Sequence, residues 1–446
     1  MYRHLGFLLA GAAVFSLGCT QEKTTATEES SHMTMSLSEK ERIFEYDMTA
    51  RFLDNGQALC KLRLPTSERP FISYNMPDNA YMTGIYLGAL SMKYAVTQNP
   101  RDREDAAASL RALDLLCNVS GKRGLLARAA VPAHSRWHDD GEWHASPDGA
   151  YMWRGDVSSD QVDGVMYGFA VAYDLAADEE GKKTIARNAA AIADHILSHD
   201  LRIIDITGKP TMWGNYTLEY VRRRENMNAL LLLQVLKVAH HVTGDARFEQ
   251  EYRRIAIEKQ YADIAVTARK SADPLQPGAV NHSDDVLLYL AFYPLLTHER
   301  DPVLREKYLA AFRRFWEGDG RYPGVKPEAN PLYAFSAHAF LDDASGDADA
   351  IDTLRWFPFD LKWNRDTLSK YQQQFGFVFE PAPRSPEPKG PGPIPIDRRP
   401  KTWSAWVQNP YEAGDRSPDS GMEFNGHDYL AGYWLGRYHG YITENM

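Results

Sequence analysis

Residues 80–97 read AYMTGIYLGALSMKYAVT, and residues 102–117 read DREDAAASLRALDLLC. The first segment carries a single charge, Lys93, and is apolar nearly all round, so a helix made from it must be covered on most sides. The second has one apolar stripe and one charged face, the pattern of a helix that covers something and meets water behind. Gln98-Asn99-Pro100 between them is a short link, as an αα-hairpin requires.

The same alternation recurs down the chain. Residues 160–177 are mostly uncharged, and 179–197 carry Glu179, Glu180, Lys182, Lys183 and Arg187. Residues 226–243 contain NALLLLQVLKVAHHV, and 245–265 are rich in Arg and Glu. DDVLLYLAFYPLLT (284–297) precedes a charged 302–316, and PLYAFSAHAFLD (331–342) precedes a short charged 347–356. The sixth apolar segment, HDYLAGYWLGRYHGYI (427–442), ends the chain, and its charged partner is SEKERIFEYDMTARFLD (38–54) at the other end. Six inner and six outer helices, closed by pairing the two ends, describe an all-α (α/α)6 toroid forming a single domain over 38–446. An open solenoid would show a fixed period and a polar end cap; these starts are unevenly spaced and the last helix is apolar.

Of the 446 residues, 60 are Asp or Glu and 50 are Lys or Arg, a formal charge of −10. That balance opposes phosphate-backbone binding, so nucleic acid is not an expected partner. There is no Gly-rich phosphate loop, GxSxG elbow, CxxC pair or EF-hand loop, so nucleotide-dependent and serine-hydrolase chemistry lose their main support.

Residues 1–18 read as a lipoprotein signal peptide: Arg3 and His4, an apolar run, then Ser16-Leu17-Gly18 before Cys19, the residue lipidated after cleavage. Residues 19–37 are a polar tether. The expected location is the bacterial cell envelope, lipid-anchored and facing the periplasm or the cell surface. Cys60 and Cys117 remain, either paired in an oxidising compartment or standing as two buried thiols.

Three long interruptions, 118–158, 198–224 and 357–426, do not fit a bare ring. The first is alternating and Gly-punctuated, which predicts a small β-ribbon. The last holds eight prolines between Pro381 and Pro400, which forbid helix and predict an extended strap over the domain. Long loops on one rim are where function usually sits.

The most informative run is Trp153-Arg154-Gly155-Asp156-Val157-Ser158-Ser159-Asp160-Gln161-Val162-Asp163-Gly164. Ser158 and Gln161 have capping-box spacing, so a helix should begin here. Its apolar face carries Val162, Val165, Met166 and Phe169; Asp160, Asp163 and Tyr167 lie opposite, which on an inner helix means toward the cavity. Asn281-His282-Ser283-Asp284-Asp285 opens the fourth inner helix and places acids at the same kind of position. His134, His138, Asp139, Asp140, Glu142 and His144 match no metal-binding spacing, so they read as a solvated loop and neither metal nor cofactor is expected. Trp153 and Trp213 offer sugar-stacking faces. In the C-terminal loop, Arg398 and Arg399 beside Trp406 and Tyr411 have the fork geometry to clamp a carboxylate, or else bind backbone carbonyls of the strap.

The helix alternation and the Trp-Arg-Gly-Asp run resemble the (α/α)6 carbohydrate-active enzymes, among them the unsaturated glucuronyl and rhamnogalacturonyl hydrolases and the toroid polysaccharide lyases. The chain is most similar to bacterial lipoproteins carrying the blocks GDVSSDQVDG, DITGKPTMWG and NHSDD. The resemblance implies an oligo- or polysaccharide partner and a lipid-anchored glycoside hydrolase acting on uronate-containing or decorated glycans. Such cleavage needs one acid and one carboxylate. Asp160 is the expected acid and Asp284 the base, with Asp156 able to replace either and Asp163 and Asp285 beside them. A lyase would instead use Tyr167 or His282 as base, with Asn281 and Arg154 neutralising a uronate. A non-catalytic glycan-binding lipoprotein would need the aromatics alone.

Overall fold

The computed structural model describes residues 30–32, 34–135, 137, 141–271, 280–381, 383–387, 390–414 and 421–446. The expected leader, Cys19 and the tether up to Glu29 lie outside these residues, as do His138, Asp139 and Asp140. The described chain already pairs at Ser30–Ser31, in parallel with Phe377–Val378.

All six apolar segments are helices buried on nearly every side: α2 (Asn79–Thr97), α4 (Ser159–Leu175), α7 (Met227–Thr243), α10 (Ser283–His298), α12 (Pro331–Leu341) and α15 (His427–Tyr438). The outer set is α1 (Leu37–Asp47), α3 (Pro100–Asn118), α5 (Glu179–Ser198), α8 (Ala246–Arg253), α11 (Pro302–Glu317) and α13 (Asp347–Trp356). Three further helices, α6 (Leu218–Arg223), α9 (Tyr261–Ala265) and α14 (Arg365–Phe375), lie in the interruptions or beside α8. Each inner helix touches the next, and α15 returns to α2, so the ring is closed.

Local chemistry sets the helix starts. Asn99 before Pro100, Asp301 before Pro302 and Asn330 before Pro331 each accept a first-turn backbone N–H, while proline supplies a helical φ where no donor is needed. Closure rests on side chains of α15 reaching α1. Tyr429 donates to the Leu37 carbonyl at 2.9 Å, and Trp434 Nε1 donates to Glu41 Oε1 at 2.9 Å. The tightest seam is between α2 and α4. A Cβ on Gly84 would fall 2.0 Å from the Gly164 carbonyl oxygen, and one on Gly168 2.5 Å from that of Gly84. The hollow between the helices is filled by tyrosines; the hydroxyls of Tyr167 and Tyr289 meet at 3.0 Å.

The interruptions are more structured than the sequence reading expects. Residues 118–158 form the expected ribbon, with Tyr151–Arg154 between Ala129–Pro132 and Trp143–Ala145. Residues 198–224 add a hairpin, Arg202–Ile204 with Pro210–Asn215. Residues 357–426 hold the proline strap, but also α14 and a strand, Met422–Phe424, paired with Lys61–Arg63. The capping box is corrected. The helix starts at Ser159 as expected, yet Ser158 makes no cap and Gln161 serves the neighbouring helix, its Oε1 accepting from Tyr81 N at 3.1 Å and its Nε2 donating to Asp78 at 2.9 Å. Of the two readings left open for the cysteines, the structure has the buried thiols. Cys60 and Cys117 are thiols, and the Cys60 Sγ engages Asn79 Oδ1 at 3.1 Å beside the start of α2.

Two measurements check this packing. Gly84→Val should destabilise the domain by about 3 kcal/mol or more, because backbone faces backbone at the seam and no rotamer relieves it; Gly392→Ala, with open space around it, should stay within about 0.5 kcal/mol. In protein denatured without reductant, the peptides holding Cys60 and Cys117 should both take a thiol label, whereas native Cys117 should not, because burial pushes its pKa up and hides it. A peptide pair cross-linked through these residues would contradict the fold.

Candidate active site

The starts of the inner helices share one mouth of the ring. Ser159 and Asp160 of α4, Met227 of α7, and Ser283, Asp284 and Leu287 of α10 line a cavity of about 430 Å³. Arg128 from the ribbon, Trp213 from the hairpin, and Glu225, Ser271 and Asn281 from the connecting segments complete it. Three carboxylates from different segments therefore face one space, with a half-exposed indole at its edge. A larger groove of about 870 Å³ lies on the outside of the ring between α5 and α8, but its Arg123 and Arg247 are both paired with Asp194.

The walls are held by specific contacts. Asp156, at φ 49°, accepts Met212 N on its Oδ1 at 3.1 Å and Arg128 Nε on its carbonyl at 2.7 Å, so it aims the hairpin and the arginine. Arg128 also donates to the Pro77 carbonyl, Asp78 and Ser158. Ser158 Oγ donates to Asp160 Oδ1. Asp284 accepts from Ser271 N at 2.8 Å, Ser271 Oγ at 2.6 Å and Asn281 Nδ2 at 2.7 Å.

Burial dominates the electrostatics. It pushes the Asp284 carboxyl up to about 7 against the pull of the Ser271 donors. Burial, then the neighbouring Asp160, raises Asp78 to about 6. Glu225 is raised by burial, while its bond with Tyr220 pulls the other way. Behind the cavity, Lys270 lies among Asp285, at salt-bridge contact 2.5 Å, Glu328 at 3.6 Å and His282 at 3.2 Å, so a cation already occupies the centre of that buried group. Burial, then repulsion from Asp285, pushes Glu328 up to about 7; burial, then Lys270, lowers His282 to about 4.

Of the residues expected at the site, Asp160, Asp284, Asn281 and Trp213 line the cavity together. The others do not. Asp163 is buried one turn below the mouth, its two carboxylate oxygens have no hydrogen-bond partner, and burial followed by Asp160 pushes it well above the carboxylate range. Asp285 and His282 belong to the Lys270 group. Tyr167 is core, bonded to Tyr289. Trp153 is buried under the ribbon against His144, and Arg154 occupies the adjacent ribbon position. Arg399 donates to the Ile394 and Glu328 carbonyls and Arg398 to Ser385 and Glu387, so this pair holds the strap. Trp406 is buried, donating to the Asp428 carbonyl at 2.8 Å, and Tyr411 lies over His282 at 6.0 Å between ring centres. Sequence reasoning missed Arg128, Glu225, Ser271 and Asp78. Arg128 had a signal, as the one charge within GLLARAAVP.

No family model matches the sequence, and no curated protein matches it. Solved structures similar to the chain include a cellobiose 2-epimerase from Spirochaeta thermophila, at 13% identity and TM-score 0.44 over 91% of this chain and 97% of that one. An unsaturated glucuronyl hydrolase specific for heparin is 13% identical, at TM-score 0.45 over 90% and 95%. A family 76 glycoside hydrolase from a bovine Bacteroides thetaiotaomicron strain is 11% identical, at TM-score 0.43 over 73% and 70%.

The raised Asp284 makes stability depend on pH. The folded state keeps a proton up to about pH 7 that the unfolded chain releases near 3.8. Stability therefore falls as pH rises through that window, by up to about 1.4 kcal/mol per unit from this group. Asp284→Asn should remove that contribution, so urea unfolding should show the variant gaining on the wild type between pH 4 and 7 and holding a constant margin above. A margin that does not change with pH would mean Asp284 is not the titrating group.

Proposed function

We propose that the protein is a glycoside hydrolase whose reaction takes place in the cavity at the N-terminal mouth of the ring. The observation that carries this reading is the placement of Asp160 and Asp284, from two different inner helices, on one cavity with Trp213 at its edge. Glycosidic cleavage needs a proton given to the leaving oxygen and a proton taken from the attacking water. Asp284 suits the second task. Burial sets its pKa near neutrality, and three donors on its two oxygens orient it as an acceptor while making it a poor nucleophile. Asp160 takes the first, as the carboxyl group from a second inner helix on the same cavity. Asp160 then protonates the leaving oxygen, the bond to the anomeric carbon breaks, and water deprotonated by Asp284 adds to that carbon with inversion.

The lining also bears on the sugar. Three carboxylates face the cavity, and the one cation among its described lining residues, Arg128, is already bonded to Asp78, Ser158 and two carbonyls. A uronate carboxylate there would meet repulsion without a free partner, so the ring bound between the two acids is neutral and charged decorations lie outside. The same facts weaken a lyase reading, as do the burial of Tyr167 and the engagement of His282 by Lys270. The sequence of residues 1–19 supports attachment of the mature enzyme to the envelope through Cys19.

A panel of neutral and decorated polysaccharides tests the proposal. The wild type should release reducing ends without a rise at 235 nm, and the first product should carry the inverted anomer by NMR. Asp160→Asn and Asp284→Asn should each lower kcat at least about 100-fold while both variants stay folded at pH 6. Full activity in both would remove these residues from the reaction. Binding without turnover in the wild type would make the protein a glycan-binding lipoprotein instead.

A further inference from the structure

Four groups of His, Asp and Glu among the described residues bring one ligand atom each within 4.8 Å of the others. Three are already neutralised from within. In the group at the C-terminal mouth, both imidazoles bond to the shared carboxylate, His241 to Asp174 at 2.7 Å and His298 to Asp174 at 3.3 Å. His282, Asp285 and Glu328 surround the Lys270 ammonium. Glu45 and Asp102, grouped with Asp105, hold Lys93.

The fourth group, Glu142, His144 and Asp205, encloses no cation among the described residues. His144 Nε2 and Asp205 Oδ1 are both sealed from solvent, and neither has a hydrogen-bond partner. Two orphaned polar atoms side by side are costly in a native interior unless something joins them. The space for it is kept by Gly155, where a Cβ would fall 2.9 Å from His144 Nε2 and 3.4 Å from Asp205 Oδ1. Asp205 is fixed by the hairpin turn, its N–H on the Lys209 carbonyl and its own carbonyl accepting Gly208 N. Glu142 is exposed and leaves an entrance.

We propose that Glu142, His144 and Asp205 bind a divalent transition-metal ion that ties the 143–154 ribbon to the 202–215 hairpin. One imidazole nitrogen and two carboxylates suit Zn²⁺ or Mn²⁺, with water completing the shell. Metal–ligand bonds of about 2.1 Å put ligand atoms about 3–3.5 Å apart; here they lie within 4.8 Å of one another, so small side-chain shifts close them on an ion. The two negative charges are offset by the ion, and His144 ligates neutral through Nε2. Because the hairpin also carries Trp213 and is held by Asp156, the ion fixes the edge of the cavity without entering the reaction.

The test uses the full chain, stripped with chelator and titrated with Zn²⁺ by calorimetry, followed by a thermal melt. About one ion should bind per chain and raise the melting temperature. Asp205→Asn and His144→Ala should each weaken binding at least about tenfold and abolish the thermal shift; Glu142→Gln, at the exposed position, should weaken it in a protein sure to fold. His241→Ala should bind as the wild type does. Absence of binding, binding unmoved by the three substitutions, or binding lost only in His241→Ala each overturns the proposal. None of these readouts depends on catalytic activity, so they stand apart from the hydrolase assignment.

Discussion

Much of the molecule follows from the contact of α2 with α4 through glycine. With Gly84, Gly164 and Gly168 at the crossing, the two backbones approach more closely than side chains allow elsewhere in the ring. That approach brings the first turn of α4 against the first turn of α2. Gln161 then has two nearby groups to satisfy, the Tyr81 N–H and the Asp78 carboxylate, and it leaves its own helix end to do so. The same approach sets Asp160 close enough to Asp78 to add to the burial that disfavours ionisation of Asp78. A packing decision made by residues without side chains thus reaches the electrostatics of the cavity about a turn away.

The two mouths of the ring differ in kind, and the direction of the helices explains it. Each inner helix points its N-terminus to one side, where backbone N–H groups and the macrodipole favour negative charge. Asp160, Asp284, Asp285 and Asp428 all sit in first turns there. At the opposite side the helix ends carry His240, His241, His298 and His338, and several of these meet carboxylates of neighbouring segments. Burial acts against the dipole at the acidic mouth. It raises Asp78, Asp284 and Glu328 toward neutrality, which gives carboxyl groups able to exchange protons near pH 7.

The ring was legible in the sequence because it depends on a repeated contrast between helices that must be covered and helices that cover them. Closure was legible for the same reason: an apolar helix at the C-terminus needs a charged helix to cover it, and the one at the start was left without an inner partner. Position around an inner helix could also be read, and Asp160 and Asp163 do share a face. Depth along the axis could not. One turn separates a residue at the mouth from one enclosed among Gly164, Gln234 and the tyrosines, and periodicity carries no information about where the cavity stops. Partners distant in sequence were equally hidden. Arg399 finds the Glu328 carbonyl and Trp406 finds the Asp428 carbonyl, so groups that looked ligand-seeking are satisfied by backbone. Glu225 and Ser271 gave no local sign, since only the ring brings their segments to Asp284.

The division of charge around the cavity is the last consequence. Behind its wall, Lys270 answers Asp285 and Glu328, Arg399 braces the strap beside them, and Lys362 answers Asp428. These cations are enclosed, and each is committed to acids or carbonyls that burial would otherwise leave exposed to a low dielectric. Facing the cavity, carboxylates predominate among the described residues, and Arg128 is committed to the frame. A surface arranged in this way attracts protons and hydroxyl-rich neutral molecules and repels anions. The buried ion pairs therefore do more than hold helix starts in place: by committing positive charge behind the wall, they leave burial as the first cause that raises Asp284 and Glu225 in front of it.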